Sequence, residues 1–300
     1  MVGAVGAVVV QSDLDGGAGG GVAGDGEAGL EFGEADDVGA GDLTASLIPG
    51  ARVARATVIS REDGVLCGRA WFDRCVMELD PDAGITWSAA DGERIAANQV
   101  LCEIRANARA LLTAERSALN FLQLLSAVAS KARIYADAIA GTGAQVVDTR
   151  KTLPGLRIAQ KYAVRAGGGG NHRLALWDAI LIKENHIHAA GSITEALASA
   201  RQAADRAGAR CKFIQIEVES IRELETALNA GATMILLDNF SLGMMRDAAR
   251  INASRAVLEA SGNVSLDTIR SIAETGVDRI SVGALTKDVK ALDLSMRFVD

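Results

Sequence analysis

No run of about eighteen apolar residues, the length a membrane-spanning helix needs, occurs in the 300-residue sequence, so no such helix is predicted. Basic residues are missing from the start; the first lysine or arginine is Arg52. A secretory signal needs a positive leading region, so none is expected. The four cysteines (Cys67, Cys75, Cys102, Cys211) show no C-x-x-C spacing and read as reduced, mostly buried thiols of a cytoplasmic protein. The only histidines are His172, His186 and His188, with no cysteine at ligand spacing, which argues against a histidine–cysteine metal site. His186 and His188 are expected in surface or packing roles. Aromatic residues are scarce at 4%, whereas the apolar share is 49%. Small aliphatic residues in that abundance suit α/β layers, where helices lie close on strands.

What charge there is falls unevenly. The net charge is −7, but residues 1–42 hold nine acidic side chains and no basic one, leaving 29 acidic against 31 basic residues in the rest. The acidity therefore belongs to the leader, and a globally basic nucleic-acid binder is not indicated. The leader also carries 13 glycines and no proline. Such a composition buries too little apolar surface to offset chain entropy, so residues 1–35 are expected to be mobile.

Residues 51–105 read as strands with turns, including "RVARATVIS", "GVLCGRAWF" and "GITWSAADGERI", a small α+β unit. Helical spacing follows from Arg109 to Ala140, with a polar stripe of Arg116, Asn120 and Gln123 that on residue types alone is a solvated face. After Gly141 short apolar runs alternate with helical ones. The strands are "AQVVDT", "AILIK", "FIQIEVE", "MILLD", "AVLEA" and "RISV"; the helices are 156–165, 193–207, 221–230, 242–253 and 266–274. Repeated β-α units with continuous short strands predict a parallel sheet, and six of them suit a barrel better than an open sheet. No G-x-G-x-x-G follows the first strand, which weakens a dinucleotide-binding reading.

The strand ends carry the chemistry: Arg150 and Lys151, Lys183, Glu217 and Glu219, Asp238, Ser261-Gly262-Asn263, and Ser281-Val282-Gly283. A β/α barrel builds its active site from the C-terminal ends of its strands. Between Asp148 and Arg173 there are six basic residues and one acid. Arg157 and Lys161 share a helix face and read as solvated. Arg150, Lys151, Arg173 and Lys183 are placed to converge on a ligand with more than one negative group. Glu217 and Asp238 suit ribose hydroxyls or Mg²⁺, or else neutralise the cations. The two Ser/Gly tripeptides after the late strands fit a barrel phosphate site. The glycine run 167–170 leads into Asn171-His172-Arg173, not the Lys-Ser or Lys-Thr of a P-loop, and follows a helix. Both features argue against a phosphate cradle of the P-loop kind.

The blocks "DTRKTLPGLRIAQKYAVRAGGGGNHR", "DAILIKENHI", "IEVES", "LLDNF" and "ETGVDRISVGALT" resemble quinolinate phosphoribosyltransferase, the carboxylating nicotinate-nucleotide pyrophosphorylase family, from about Asp36 onward. The resemblance implies an N-terminal α+β sandwich domain (36–128) followed by an incomplete α/β barrel (129–285), a type II phosphoribosyltransferase, with 286–300 returning to the first domain. It implies a homodimer or an assembly of dimers, Mg²⁺, and the substrates quinolinate and phosphoribosyl pyrophosphate, with neither nucleic acid nor membrane as partner. Arg150, Arg173 and Lys183 would hold the two quinolinate carboxylates, with His172 and Lys151 beside them, and Arg116 would reach into the partner's site. Glu217 and Asp238 would face the ribose and metal. Thr149 and Lys151, Ser261 to Asn263 and Ser281 to Gly283 would bind phosphoribosyl pyrophosphate, with Lys151, Glu217 and Asp238 in catalysis. The products would be nicotinate mononucleotide, pyrophosphate and CO₂. Two other readings stay open: a relative acting on another acid, as in molybdenum operons, and a catalytically weak binding protein. The second is raised by a Gly-rich leader where the family has an amphipathic helix.

Overall fold

The computed structural model describes residues 37–38 and 41–299. The leader expected to be mobile lies outside them. The described chain forms two compact units. One comprises the residues up to Arg133 with 152–168 and 286–299; the other comprises 134–151 and 169–285. Residues 152–168, expected in the barrel half, thus group with the first unit.

The first unit contains β1 (Val53–Ser60), β2 (Gly64–Val65), α1 (Arg69–Leu79), β3 (Gly84–Trp87), β4 (Arg94–Ile95), β5 (Val100–Asn107), most of α2 (Ala108–Ala138) and α3 (Arg157–Ala166). β1, β3 and β5 form an antiparallel sheet whose edge is completed by the C-terminal strand Leu294–Val299, paired with β1. Alternate sheet residues Ala56, Val58, Cys102 and Ile104 share a core with Phe72, Cys75 and Val76 of α1 and Leu111, Leu119 and Leu122 of α2. This is an α+β sandwich, each layer hiding its apolar side against the other. Its three cysteines are buried free thiols; Cys211, in the other unit, is partly buried.

Two local expectations fail here. "GVLCGRAWF" is a strand only at Gly64–Val65. Gly68, at φ +110°, then turns the chain into α1, where Trp71, Phe72, Cys75 and Val76 are buried at helical spacing. The apolar run concealed that change of period. Lys161 is not solvated: it is only 2% exposed inside the first unit.

The second unit is a six-stranded parallel sheet of β6 (Gln145–Val147), β7 (Ile180–Ile182), β8 (Ile214–Val218), β9 (Met234–Asp238), β10 (Val257–Ser261) and β11 (Arg279–Ser281). Its order is β6-β11-β10-β9-β8-β7, cyclic in the chain except for one seam between β6 and β7. The helices are α4 (Glu184–Ala190), α5 (Ile193–Ala207), α6 (Ile221–Asn229), α7 (Leu242–Asn252) and α8 (Leu266–Ala273). Ser192, Ser220 and Ser241 start α5, α6 and α7, each accepting an N–H three residues on. The short α4 lies in a stretch to which the sequence reading gave neither strand nor helix. One face of the sheet is apolar and buried: Val146, Ile182, Ile216, Ile235, Leu237, Leu258, Ala260 and Ile280. By period two the other face carries Lys183, Gln215, Glu217, Asp238, Glu259, Ser261, Arg279 and Ser281. Helices cover the first face; the second, where Val147, Leu181, Met234 and Leu236 stand among these polar groups, is the interior of a barrel left open at one seam.

Candidate active site

Strand register assembles the mouth of the barrel. Ile182 pairs with Ile216, so the next residues, Lys183 and Glu217, stand side by side. Lys183 Nζ donates to Glu217 Oε2 at 2.9 Å. Asp238 pairs with Ser261 on the adjoining strands. Partial burial and then the Glu217 carboxylate push the Asp238 carboxyl up, while Lys183, Asn239 and Lys151 act the other way. Lys151 follows β6 and Lys183 follows β7, the two edge strands, so both edges of the sheet supply a cation whose field reaches Asp238. Among the described residues no group of three or more acidic, histidine or cysteine side chains is placed to hold a metal. Two mutually repelling carboxylates nonetheless fit Mg²⁺ as a hard cation completed by substrate oxygens. Glu219, by contrast, lies outward of this pair. Its carboxyl is raised first by Glu184, and its N–H donates to Glu223 Oε2.

Two guanidiniums of the same unit affect each other's charge. Burial and then Arg150 lower the pKa of Arg173, with Asp178 opposing. Asp178 accepts the N–H groups of Leu174 and Ala175, so it braces the loop as well as balancing charge. Arg173 donates one hydrogen bond to Ala179 O at 3.1 Å. Arg150 Nε is buried without a hydrogen-bond partner. Like charges set together with an orphaned donor are what an anion site requires before its ligand arrives.

The late-strand loops are built for close approach. A Cβ on Gly262 would collide with the Asn239 side chain, and its φ of +102° disfavours any other residue. Asn239 and Asn263 also have positive φ, and Asn239 N–H donates to Ser261 O. Gly283 lies against Lys151 and Thr149: a Cβ there would sit 3.1 Å from Lys151 Cδ and 3.7 Å from Thr149 Oγ1. Thr149 Oγ1 also accepts Lys151 N–H. Ser281 and Val282 are less available. Val282 N–H bonds Val147 O, and Ser281 Oγ, buried, donates to Ala260 O. Of that tripeptide, Gly283 is the residue that meets Thr149 and Lys151.

The glycine run serves three separate purposes. Gly167 lies on Ala129 and Ala132 of α2, where a side chain has no room. Gly168 turns at φ +90°. Gly170 forms a parallel bridge with Val147, its N–H bonding Val146 O and its carbonyl accepting Asp148 N–H. The last glycine of the run, Gly170, therefore lies on the free edge of β6 at the seam. From there His172 points inward, 9% exposed, its N–H held by Asp148 Oδ1. Its Nδ1 accepts Arg173 N–H at 2.7 Å, which leaves the proton on Nε2, 2.7 Å from Gln215 Oε1.

Residues 128–297 match the family described as quinolinate phosphoribosyl transferase, C-terminal domain, and residues 42–126 match its N-terminal domain. The chain belongs to the quinolinate phosphoribosyl transferase family. It is 40% identical over 261 residues, 87% of this chain and 89% of the relative, to a probable nicotinate-nucleotide pyrophosphorylase [carboxylating] of Bacillus subtilis. The nicotinate-nucleotide pyrophosphorylase [carboxylating] of Mycobacterium leprae is 41% identical over 261 residues, covering 84% of this chain and 89% of that one. Among solved structures, the nicotinate-nucleotide pyrophosphorylase of Francisella tularensis superposes with a TM-score of 0.86 at 42% identity, over 90% of this chain and 94% of that one.

Within this family fold, Thr149, Arg150, Lys151, His172, Arg173, Lys183, Glu217, Asp238, Ser261 to Asn263 and Ser281 to Gly283 all belong to the barrel unit. Arg116 belongs to the other unit, exposed on α2 beside exposed Asn120. Gln123, third in that stripe, donates to Leu294 O and so secures the C-terminal strand. His186 and His188 are exposed, and His186 Nδ1 accepts Lys183 N–H at the start of α4. Three interior residues escaped sequence reasoning: Asp148, Glu259 and Arg279. Glu259 is two residues before Ser261 in a strand otherwise apolar, a signal that period two makes visible.

Proposed function

We propose that this chain transfers the phosphoribosyl group of phosphoribosyl pyrophosphate to the ring nitrogen of quinolinate, with loss of the 2-carboxylate as CO₂, yielding nicotinate mononucleotide and pyrophosphate for NAD biosynthesis. The observation that carries it is the Arg150–Arg173 pair, in which Arg150 lowers the pKa of Arg173 and has an orphaned buried donor, in the unit that also holds Lys183, Glu217 and Asp238. Two adjacent carboxylates on one ring are an anion that such a pair recognises, through the planar fork of each guanidinium.

Lys183, beside Arg150 and Arg173 in this reading, completes the acid clamp and aims the pyridine nitrogen at C1 of the ribose. Glu217 and Asp238 hold the ribose hydroxyls. With them Mg²⁺, when bound, neutralises the leaving pyrophosphate. Gly262, Gly283, Thr149 and Lys151 cradle the phosphates. As the C1–oxygen bond breaks, positive charge develops on the ribose, and the acids facing it stabilise that state. The nitrogen lone pair then forms the new bond. The pyridinium takes up the electron pair of the breaking C2–carboxylate bond, CO₂ leaves, and solvent protonates C2. No protein nucleophile is needed. The enzyme is proposed to act in the cytoplasm as a homodimer in which exposed Arg116 of one copy completes the acid site of the other.

The test is direct. Purified protein with quinolinate, phosphoribosyl pyrophosphate and Mg²⁺ should release nicotinate mononucleotide and CO₂ in equal amounts. Folded protein that forms neither rules the reading out, and equal turnover of nicotinate rules out the two-carboxylate clamp.

A further inference from the structure

A chain of buried polar groups crosses the barrel interior beneath the acid clamp. Glu259 of β10 is wholly buried. Its Oε1 lies 3.5 Å from His172 Nε2 and its Oε2 lies 3.3 Å from Arg279 Nε. Neither carboxylate oxygen makes a hydrogen bond, and Gln215 Nε2 and Arg279 Nε are likewise buried without one. Arg279 reaches past Glu259, and its Nη2 points to Asn171 O at 3.5 Å. The three residues Asn171, His172 and Arg173 are thus gripped from beneath: Asn171 by Arg279, His172 by Gln215 and Glu259, and Arg173 N–H by the His172 ring itself.

A buried ion pair of this kind is a poor source of stability. Desolvating both charges offsets most of their attraction, and apolar replacements of similar volume are often as stable. Nothing in the packing of a barrel interior requires a carboxylate there. What the carboxylate does supply is a fixed imidazole. With Nε2–H drawn toward Gln215 and Glu259, Nδ1 stays an acceptor for Arg173 N–H. Both ring nitrogens are spent inside the protein, so the ring holds the clamp from behind.

Resting on the acid-clamp reading, we propose that Glu259, with Arg279, is a positioning residue for quinolinate binding: acting through the Nε2–H tautomer of His172, it sets the backbone of Arg173. His172 on this account is itself a positioning residue and touches no substrate.

Glu259→Gln keeps the shape and removes the charge. Arg279, whose side chain is 17% exposed, can then turn toward water. The variant should keep its unfolding temperature within a few degrees. KM for quinolinate should rise tenfold or more and KM for phosphoribosyl pyrophosphate less than twofold. In a His172→Gln background the same change should add less than twofold. Equal effects on both KM values, or effects that multiply in the double variant, overturn the proposal. If Glu259→Gln fails to fold, Arg279→Gln carries the same expectations. A second readout needs no turnover. With only three histidines, nitrogen NMR of the substrate-free protein should show His172 as the Nε2–H tautomer, and Glu259→Leu should shift it toward a mixture. An unchanged tautomer overturns the relay. A wild type that shows the tautomer but never converts quinolinate overturns the clamp reading instead.

Discussion

Lys183 Nζ and Glu217 Oε2 meet at 2.9 Å because β7 and β8 run parallel in a register that puts the two residues side by side. The pair occupies the mouth of the barrel with its lysine half exposed, so solvent screens it and it adds little to stability. Its value lies in charge placement. Glu217 holds the ammonium at the rim and, at the same time, burdens the neighbouring Asp238.

That burden has a sign. The folded Asp238 carboxyl titrates above its usual range because of burial and Glu217. In the interval between the unfolded value and the raised folded value, the native state binds more protons than the unfolded one, so stability falls as pH rises through it. Asp238→Asn should therefore stabilise the substrate-free protein at pH 7 and do so less at pH 4, while lowering kcat by at least about 100-fold through lost transition-state charge stabilisation. Thermal unfolding at the two pH values, together with single-turnover kinetics, checks both halves. A variant less stable than wild type at pH 7 would contradict the assignment.

Gly262→Ala should be costly out of proportion to one methyl group. The new Cβ meets the Asn239 side chain, and the φ of +102° is strained for alanine. A loss of about 1–3 kcal/mol is expected. KM for phosphoribosyl pyrophosphate should rise and KM for quinolinate should hardly move. Denaturant titration and initial-rate measurements read the two effects separately.

Arg116→Ala and Lys183→Ala should each be nearly inactive with little change in unfolding temperature, since both side chains are exposed. Refolded together in equal amounts, they should regain about a quarter of wild-type activity, because random pairing makes half the dimers mixed and each mixed dimer has one intact site of two. No recovery on mixing would place Arg116 in its own chain's site or in none.

The sequence alone determined much of this protein. The alternation of β and α from Gln145 to Ser281 is legible because each strand is short and apolar and each helix opens on a capping serine or a clean 3.6-residue period. The strand-end residues could be named for the same reason, since parallel β-α units deliver every strand end to one side. The helix α1 was hidden because its first residues were read together with the apolar residues 65–67 before them, and the change of backbone falls at a single glycine, Gly68. Only the tertiary structure decided which polar residues face which way. Lys161 lies on a helix that looks solvated and is buried, because the first unit packs over it. Val282 stands in a phosphate-like tripeptide, yet its N–H is spent on Val147, because β11 pairs with a strand 130-odd positions earlier, as the register of Ser281 with Val147 shows. His172 reads as a substrate ligand from its neighbours in the chain, and the barrel turns it inward onto Gln215 and Glu259. Periodicity reports a residue's own element; its partners come from strands that are distant in sequence, and only closing the sheet brings them within hydrogen-bonding range.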